Sequence, residues 1–171
     1  WDIPVPDYRK ALTGDIKGIQ VGIVNELLYS DQVDPDVENA VTTATALLAK
    51  LGAVVEDVSI PLTAHANPIG AVLLGTEPAS NLGELVRERI QDFGHDNRIG
   101  LLTGSIIPAQ VYYKAQTSTT MLRQQILDVL EQYYVLVMQS SGRVARELRA
   151  AEPPVGDERR TPSSAYPYKN N

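Results

Sequence analysis

Cysteine is absent from this chain of 171 residues, which excludes disulfide bonds, cysteine-ligated zinc or iron–sulfur centres and thiol nucleophiles. Histidine occurs only at His65 and His95, which is too few for a metal cluster built on histidine. An excess of positive charge is also missing, because 15 basic residues stand against 21 acidic ones and the net charge is −6. This balance argues against a general nucleic-acid-binding protein.

Long apolar runs are missing as well. The uncharged apolar stretches are far shorter than the ~20 residues that a membrane-spanning helix needs, and no basic segment followed by an apolar one resembles a signal peptide. Hydrophobic residues still make up 43 % of the chain, which is enough for a globular core. We therefore expect a soluble, cytoplasmic protein that does not contact a membrane.

The two ends of the chain are unusual. Trp1 stands where a natural start would have Met, and residues 153–171 hold several prolines and few residues that suit a core. Such a segment cannot bury enough apolar surface to order itself. We expect residues 1–171 to form one incomplete domain of a longer protein, with residues 153–171 as a poorly ordered tail or surface crossing.

One helix is signalled clearly at both of its ends. Asp34 suits the N-cap, Pro35 suits the first helical position, and Gly52 suits the left-handed residue that follows a helix. Between these signals, apolar residues recur at spacings of three and four and predict one buried stripe. The stripe consists of Val37, Ala40, Val41, Ala44, Leu47, Leu48 and Leu51.

A strand pattern lies on each side of this helix. Residues 19–24 are rich in β-branched side chains and predict a mostly buried strand, and residues 53–60 predict a second strand that ends before Pro61. Residues 19–60 therefore form a βαβ unit, which favours parallel strands with a right-handed crossover. The turn signals of residues 1–18 predict an extended segment before it.

The next part of the chain is predicted to be helical. Residues 66–92 carry apolar positions that suit helices interrupted near Pro78. Turn-forming residues then predict a loop over residues 93–97. A short helix is predicted over residues 96–104, with Gly104 as its end.

Helical periodicity returns near residues 108–132 and predicts a long helix that starts at Pro108. The short apolar run at residues 134–138 predicts a third, buried strand. Together with the βαβ unit, these elements predict an α/β fold in which a mixed sheet is flanked by helices.

The sequence shows few candidates for catalysis. Ser140-Ser141-Gly142 follows an apolar strand, which invites a nucleophile-elbow interpretation, but Gln139 occupies the near-side glycine position that such a turn needs. A capped strand end is the favoured interpretation. His65 and His95 lie among turn residues without the partners of a catalytic triad, so we interpret both as loop histidines.

Two further patterns carry little chemistry. The segment Thr13–Gly18 contains glycines and a lysine, but it lacks the spacing of a phosphate-binding loop and precedes a strand instead of following one. Glu77 would form an acid/base pair with Asp92 or Asp96 only if the fold brought them together. The residues alone therefore predict no catalytic constellation and no metal site.

Several segments, taken in order, resemble the amidase signature family, which includes the A subunit of the transfer-RNA amidotransferases. The sequence VPDY at residues 5–8 and the sequence DPDV at residues 34–37 are two of the matching pieces. The full set is residues 5–8 and 16–23, 34–37 and 51–55, 59–61 and 76–82, 97–99 and 104, 113–116, and 135–138 with 142–145. The resemblance covers about residues 5–170 and implies a partial amidase-signature fold.

This resemblance implies the C-terminal part of an amidase that hydrolyses a carboxamide of a small molecule through an acyl-serine intermediate. In that family, a serine nucleophile, a second serine on a cis peptide bond and a lysine come from segments upstream of the matched region. No catalytic residue is therefore carried over to this chain, and we expect it to be inactive alone. The family's hydrolysis uses no metal, so no cofactor is expected.

One substrate-binding residue follows from the resemblance. Arg98 lies where glutamine-using relatives have an arginine-rich stretch that contacts a substrate carboxylate, and a guanidinium suits a carboxylate because it donates two parallel hydrogen bonds. A surface helix arginine is the alternative interpretation. Gly70 and Ala71 stand where the same relatives carry tyrosines, which favours an amidase with a substrate other than glutamine.

Two alternative functions remain open. The chain is either a non-catalytic α/β binding or assembly module that needs a partner at an exposed sheet edge, or a part of the A subunit of a tRNA-dependent amidotransferase. An exposed edge would also favour self-association. Direct binding of nucleic acid is not expected in any of these cases.

Overall fold

The computed structural model describes residues 4–145 and 154–156. Its helices are α1 (Tyr8–Ala11), α2 (Asn25–Leu28), α3 (Pro35–Lys50), α4 (Ala66–Asn81), α5 (Gly83–Arg89), α6 (His95–Ser105) and α7 (Ala109–Leu130). Its strands are β1 (Gln20–Val24), β2 (Val54–Val58) and β3 (Val135–Val137), and short 3-10 turns span Pro61–His65 and Ile90–Asp92. Apart from residues 154–156, the predicted tail lies outside the described residues.

The strands form one parallel sheet in the order β2-β1-β3. Val21 of β1 is paired with Val55 on one side and with Val135 on the other. β1 is central, and all of its residues after Gln20 are buried. The predicted βαβ unit and the presence of a third strand are confirmed, but the prediction that the third strand is buried is wrong, because no residue of β3 is buried and Val135 is 46 % exposed. The described strands are all parallel and do not include the antiparallel pair that a mixed sheet contains.

Helix α3 has the predicted ends but not the predicted buried face. The Asp34 carboxylate accepts a hydrogen bond from the Asp36 N–H at 3.0 Å, and Gly52 has a φ of 101°. Leu47 and Leu51 of the predicted stripe are nevertheless 56 % and 58 % exposed, while Thr45 is 4 % exposed. A sheet of three strands is too narrow to cover the whole apolar stripe of α3. Thr45 can be buried because its hydroxyl donates a hydrogen bond to the Val41 carbonyl.

The main core lies between the sheet and α7. Val24 and Val58 share one face of the sheet because they are register partners, and with Ile60 they form the buried cluster. The residues of α7 that pack on this cluster are Leu122, Ile126 and Val129. The predicted long helix is thus confirmed as the cover of one face of the sheet.

Two segments around the sheet, residues 8–11 and helix α4, differ from the predictions. Residues 8–11 form a short helix in the segment expected to be extended, although positive φ values at Gly14 and Gly18 confirm its turns. Helix α4 runs through Pro78 and ends only at Asn81. The bond that Pro78 cannot make is the one to the Leu74 carbonyl, and Leu74 is 77 % exposed, so water can take its place.

Gly104 does not end α6 but lies inside it, at the crossing with α4. A methyl group on Gly104 would overlap the main-chain carbonyl of Gly75 and would come within 3.0 Å of the Ala79 Cβ. The glycine is therefore required by close packing of two helices and not by a turn. The helix also begins at His95, earlier than predicted, so the expected loop is shorter.

Candidate functional site

The three parallel strands end at the same edge of the sheet. β2 and β3 lie on opposite sides of β1, so the strand order reverses at β1. In open parallel sheets, ligands bind in the crevice beyond the carboxyl ends of the strands at such a reversal. The segments that follow β1 and β3 are therefore the place where a site is expected.

Two adjoining cavities of about 260 Å³ and 590 Å³ lie at this edge and are together called the carboxyl-edge cleft. Both cavities are lined by Leu27, Asn67, Gln139 and Gly142. The smaller cavity is also lined by Glu26, Ser30, Asp31, Gln32, Val33, Thr63 and Ala64, and the larger by Ala66, Met138, Ser140, Ser141, Arg143, Val144 and Ala145. The cleft thus combines polar groups with a partly apolar wall, which suits a small organic ligand.

Glu26 is fixed at this edge by groups from the end of β2. Its carboxylate accepts hydrogen bonds from the Ser59 hydroxyl and from the Ile60 N–H, the latter at 2.9 Å. Burial by itself raises the pKa of Glu26, but these hydrogen bonds outweigh burial and hold the pKa below its ordinary value. Glu26 is therefore ionised at neutral pH and acts as an acceptor.

Gln139 joins the segments after β1 and β3. Its side-chain Nε2 donates to the Leu27 carbonyl at 2.5 Å, which fixes the amide orientation and leaves Oε1 as an acceptor. This Oε1 and the Asn25 Oδ1 are buried, and neither has a hydrogen-bond partner within the described part of the chain. Unsatisfied buried acceptors are costly, so this edge of the sheet is suited to a ligand or segment that brings N–H donors.

Of the two candidate nucleophiles after β3, Ser141 has local hydrogen-bond partners. The Ser141 hydroxyl donates to the Arg143 carbonyl and accepts from the Arg143 N–H, both at 3.2 Å, and the Gly142 carbonyl accepts from the Asp34 N–H at 2.8 Å. Ser140 is exposed. No serine of the described residues is hydrogen-bonded to a histidine or lysine, so these contacts favour the capped strand end over an activated nucleophile.

The structure places Arg98 in α6 and buries it. The side chain is 4 % exposed, Nη1 donates to the Phe93 carbonyl at 2.7 Å, and Nη2 donates to the Pro154 carbonyl at 3.3 Å. Arg98 also lines a cavity of about 350 Å³ together with Phe93, Gly94 and Pro154. The interpretation as a surface helix arginine is wrong, whereas the contact with a substrate carboxylate stays a prediction.

The described contacts give Glu77 and Asp92 other partners. Glu77 accepts a hydrogen bond from the Tyr112 hydroxyl at 3.0 Å, and Asp92 forms an ion pair with Arg89. The described contacts therefore do not pair Glu77 with Asp92. His65 is exposed at the end of a 3-10 turn, and His95 is buried in the first turn of α6, so the interpretation of His95 as a loop histidine is wrong.

Two kinds of site are not found in residues 4–145 and 154–156. The described residues contain no cluster of three or more His, Asp or Glu side chains that could hold a metal ion. Their helices are also too short or too polar to cross a membrane.

The sequence interpretation missed Asn25, Glu26, Ser59 and Asn67. Glu26 and Ser59 are 33 positions apart and meet only because β1 and β2 are parallel neighbours. A signal was available only after the first predicted strand, residues 19–24, which Asn25 and Glu26 follow directly. Ser59 lies inside the second predicted strand, residues 53–60, and only the observed end of β2 at Val58 places it at the edge.

Comparisons with known proteins agree with this architecture. The amidase family model matches residues 2–166. The A subunit of the glutamyl-tRNA(Gln) amidotransferase of Roseiflexus castenholzii is 31 % identical over 172 residues, covering 87 % of this chain and 35 % of that protein.

Two solved structures share the fold. One belongs to a vestigial protein complex that reveals the evolutionary origins of an s-triazine catabolic enzyme, with a TM-score of 0.72 and 19 % identity over 91 % of this chain and 32 % of that one. The other is an amidase, with a TM-score of 0.63 and 23 % identity over 82 % of this chain and 31 % of that one. The chain spans about a third of the length of these proteins. With most of its residues matched by the family model, the chain belongs to the amidase family.

Proposed function

We propose that this chain is the C-terminal part of an amidase catalytic domain and that the complete enzyme hydrolyses a carboxamide of a small molecule to an acid and ammonia. The reaction would proceed through an acyl-serine intermediate whose nucleophile lies in a part of the enzyme outside these residues. Family membership and the span of about a third of the relatives' length support this proposal.

The carboxyl-edge cleft is the observation that carries the proposal. The lining residues that carry acceptor oxygens include the ionised Glu26, Asp31 and Asn67. A primary carboxamide presents two N–H donors, so an acceptor-rich wall suits its amide end. In this proposal the chain shapes the substrate pocket and does not attack the substrate.

The isolated chain should therefore be inactive. Its sequence contains no Gly/Ser-rich run of the kind that carries the family's serines, and its own cleft serines lack a base among their described partners. We expect no labelling by a serine-directed fluorophosphonate probe and no ammonia release from a panel of primary carboxamides. The Ser140→Ala and Ser141→Ala variants are the matched controls: labelling of the parent chain that either variant abolishes would contradict the proposal.

A second candidate is the A subunit of a glutamyl-tRNA(Gln) amidotransferase. The 31 % identity to the Roseiflexus castenholzii protein favours it. Gly70 and Ala71 argue against it, because the resemblance implies tyrosines at these positions. No described atom lies within 4 Å of a Cβ placed on Gly70, so no other described group takes the place of a tyrosine side chain there. Copurification of the native protein with a second subunit, together with glutamine hydrolysis, would support this candidate over an amidase with another substrate.

Self-association is the expected behaviour of the isolated chain. β2 and β3 each have one side without a paired strand among the described residues, and open sheet edges pair readily with other chains. This property also fits the alternative of a non-catalytic assembly module. Monomeric behaviour at high concentration would argue against self-association and against the assembly module.

A further inference from the structure

Arg98 is a buried cation whose guanidinium group binds carbonyls of the main chain. Arginine stays charged in proteins, and a buried charge is costly unless hydrogen bonds compensate for the lost water. Here Nη1 donates to the Phe93 carbonyl at 2.7 Å, and Nη2 donates to the Pro154 carbonyl at 3.3 Å. Phe93 directly precedes the first turn of α6, whereas Pro154 lies 56 positions beyond Arg98. Arg98 therefore joins two distant parts of the chain.

The Pro154 end of this contact belongs to an exposed turn. Proline has no main-chain N–H, so its carbonyl is the main-chain group through which a hydrogen bond can hold it. Val155 and Gly156 form the turn, and Gly156 has a φ of 97°, which favours glycine. Since Pro154, Val155 and Gly156 are all exposed, apolar burial contributes little to their placement. The hydrogen bond from the buried Arg98 fixes the turn against α6.

The surroundings of Arg98 do not suit the carboxylate of a substrate. A side chain that is 4 % exposed presents little surface to a ligand. The cavity of about 350 Å³ beside it is also lined by Asp92, so an entering carboxylate would meet a like charge. Among the described residues, none lines both this cavity and the carboxyl-edge cleft. The cation thus serves contacts within the chain.

We infer that Arg98 is a positioning residue, which anchors the turn at residues 154–156 to the start of α6 and does not bind the carboxylate of a substrate. It acts through the part of the chain that follows β3. This part lines the carboxyl-edge cleft with residues 138–145 and contacts α6 with Pro154. Nearer to β3, the Gly142 carbonyl accepts a hydrogen bond from the Asp34 N–H at 2.8 Å. The chain after β3 is therefore fastened at two separate points, and Arg98 provides the second.

NMR relaxation of the full 171-residue chain tests the anchor. In the parent chain, the Val155 and Gly156 amides should be as ordered as the amides of α6, which requires no substitution to measure. Arg98→Lys should lower the order of both amides, because an ammonium lacks the fork that reaches two carbonyls. Arg89→Lys is the matched control, since Arg89 is 62 % exposed and pairs with Asp92 of the same cavity. It should leave the turn as ordered as in the parent chain.

Kinetics of the complete enzyme separate the anchor from a contact with a carboxylate. Ammonia release is measured for glutaramate, an amide that carries a carboxylate, and for pentanamide, a neutral amide of the same length. The anchor predicts that Arg98→Lys changes KM by the same factor for both amides. A contact with the carboxylate predicts instead a rise in KM of roughly tenfold or more for glutaramate alone.

Three results would overturn the inference. They are disordered Val155 and Gly156 amides in the parent chain, an Arg98→Lys variant with unchanged order of the turn, and a rise in KM confined to glutaramate. The inference is independent of the proposed function. If the complete enzyme hydrolyses neither amide, that result counts against the proposed function, and the order of the Val155 and Gly156 amides still decides whether Arg98 is the anchor.

Discussion

Substitution of Gly104 by alanine tests whether α4 and α6 cross in contact through their backbones. The added methyl group would overlap the Gly75 carbonyl, which belongs to a helix backbone and cannot rotate aside as a side chain would. Overpacking of this kind costs about 1–3 kcal/mol, and the rigid obstacle places Gly104→Ala at the upper end of that range. The gain in helix propensity from glycine to alanine offsets about 1 kcal/mol of it. We therefore expect the free energy of unfolding to fall by about 2 kcal/mol.

Gly100→Ala is the matched control in the same helix. A Cβ at Gly100 meets nothing within 4 Å, so only the gain in helix propensity applies, and we expect stability to rise by about 0.5–1 kcal/mol. Urea unfolding followed by circular dichroism measures both variants, with the midpoint expected to shift in opposite directions at an unchanged slope. A Gly104→Ala variant that is as stable as Gly100→Ala would refute the close crossing of the two helices.

Two further substitutions test single side chains. Arg98→Lys should lower the free energy of unfolding by about 2 kcal/mol in urea titrations, because one ammonium cannot replace a buried guanidinium that donates to both the Phe93 and Pro154 carbonyls; unchanged stability would contradict this role. Glu26→Gln should flatten the acid side of the stability–pH curve. The lowered pKa of Glu26 means that its carboxylate stabilises the fold above the ordinary value of 4.5 and loses this effect as the pH falls through the lowered pKa. Equal loss of stability on acidification in the parent chain and in Glu26→Gln would contradict that assignment.

The sequence predicts the elements whose signals are local. Asp34, Pro35 and Gly52 mark the ends of α3 because capping depends on main-chain groups a few positions away. The alternation of β1 and the long periodic stretch of α7 are equally local, and both were predicted nearly to their observed ends. The parallel pairing of β1 and β2 follows from the order of these elements.

Features that depend on distant residues could not be predicted in the same way. A glycine at position 104 is typical of a helix end in the sequence. Only the contact with Gly75 of α4 shows that Gly104 allows the two helices to cross closely. The buried face of α3 depends on where a three-stranded sheet meets the helix, so Leu47 is exposed while Thr45 is buried. Periodicity alone cannot specify that choice.

The candidate site shows the same division. The serines after β3 were visible in the sequence because they follow an apolar run, and the structure places them in the carboxyl-edge cleft. Glu26 also follows an apolar strand, but its role could not be predicted because its partners Ser59 and Ile60 come from another strand end. Arg98 was found through a family resemblance, and its burial depends on contacts with residues as distant as Pro154.

The intact mass of the polypeptide that carries this sequence in its native host, measured under denaturing conditions, tests most directly whether these residues are part of a longer amidase. We predict a mass far above 18.7 kDa, because the relatives are about three times as long as the matched region. A mass of about 18.7 kDa would contradict the proposed function and would favour a non-catalytic assembly module.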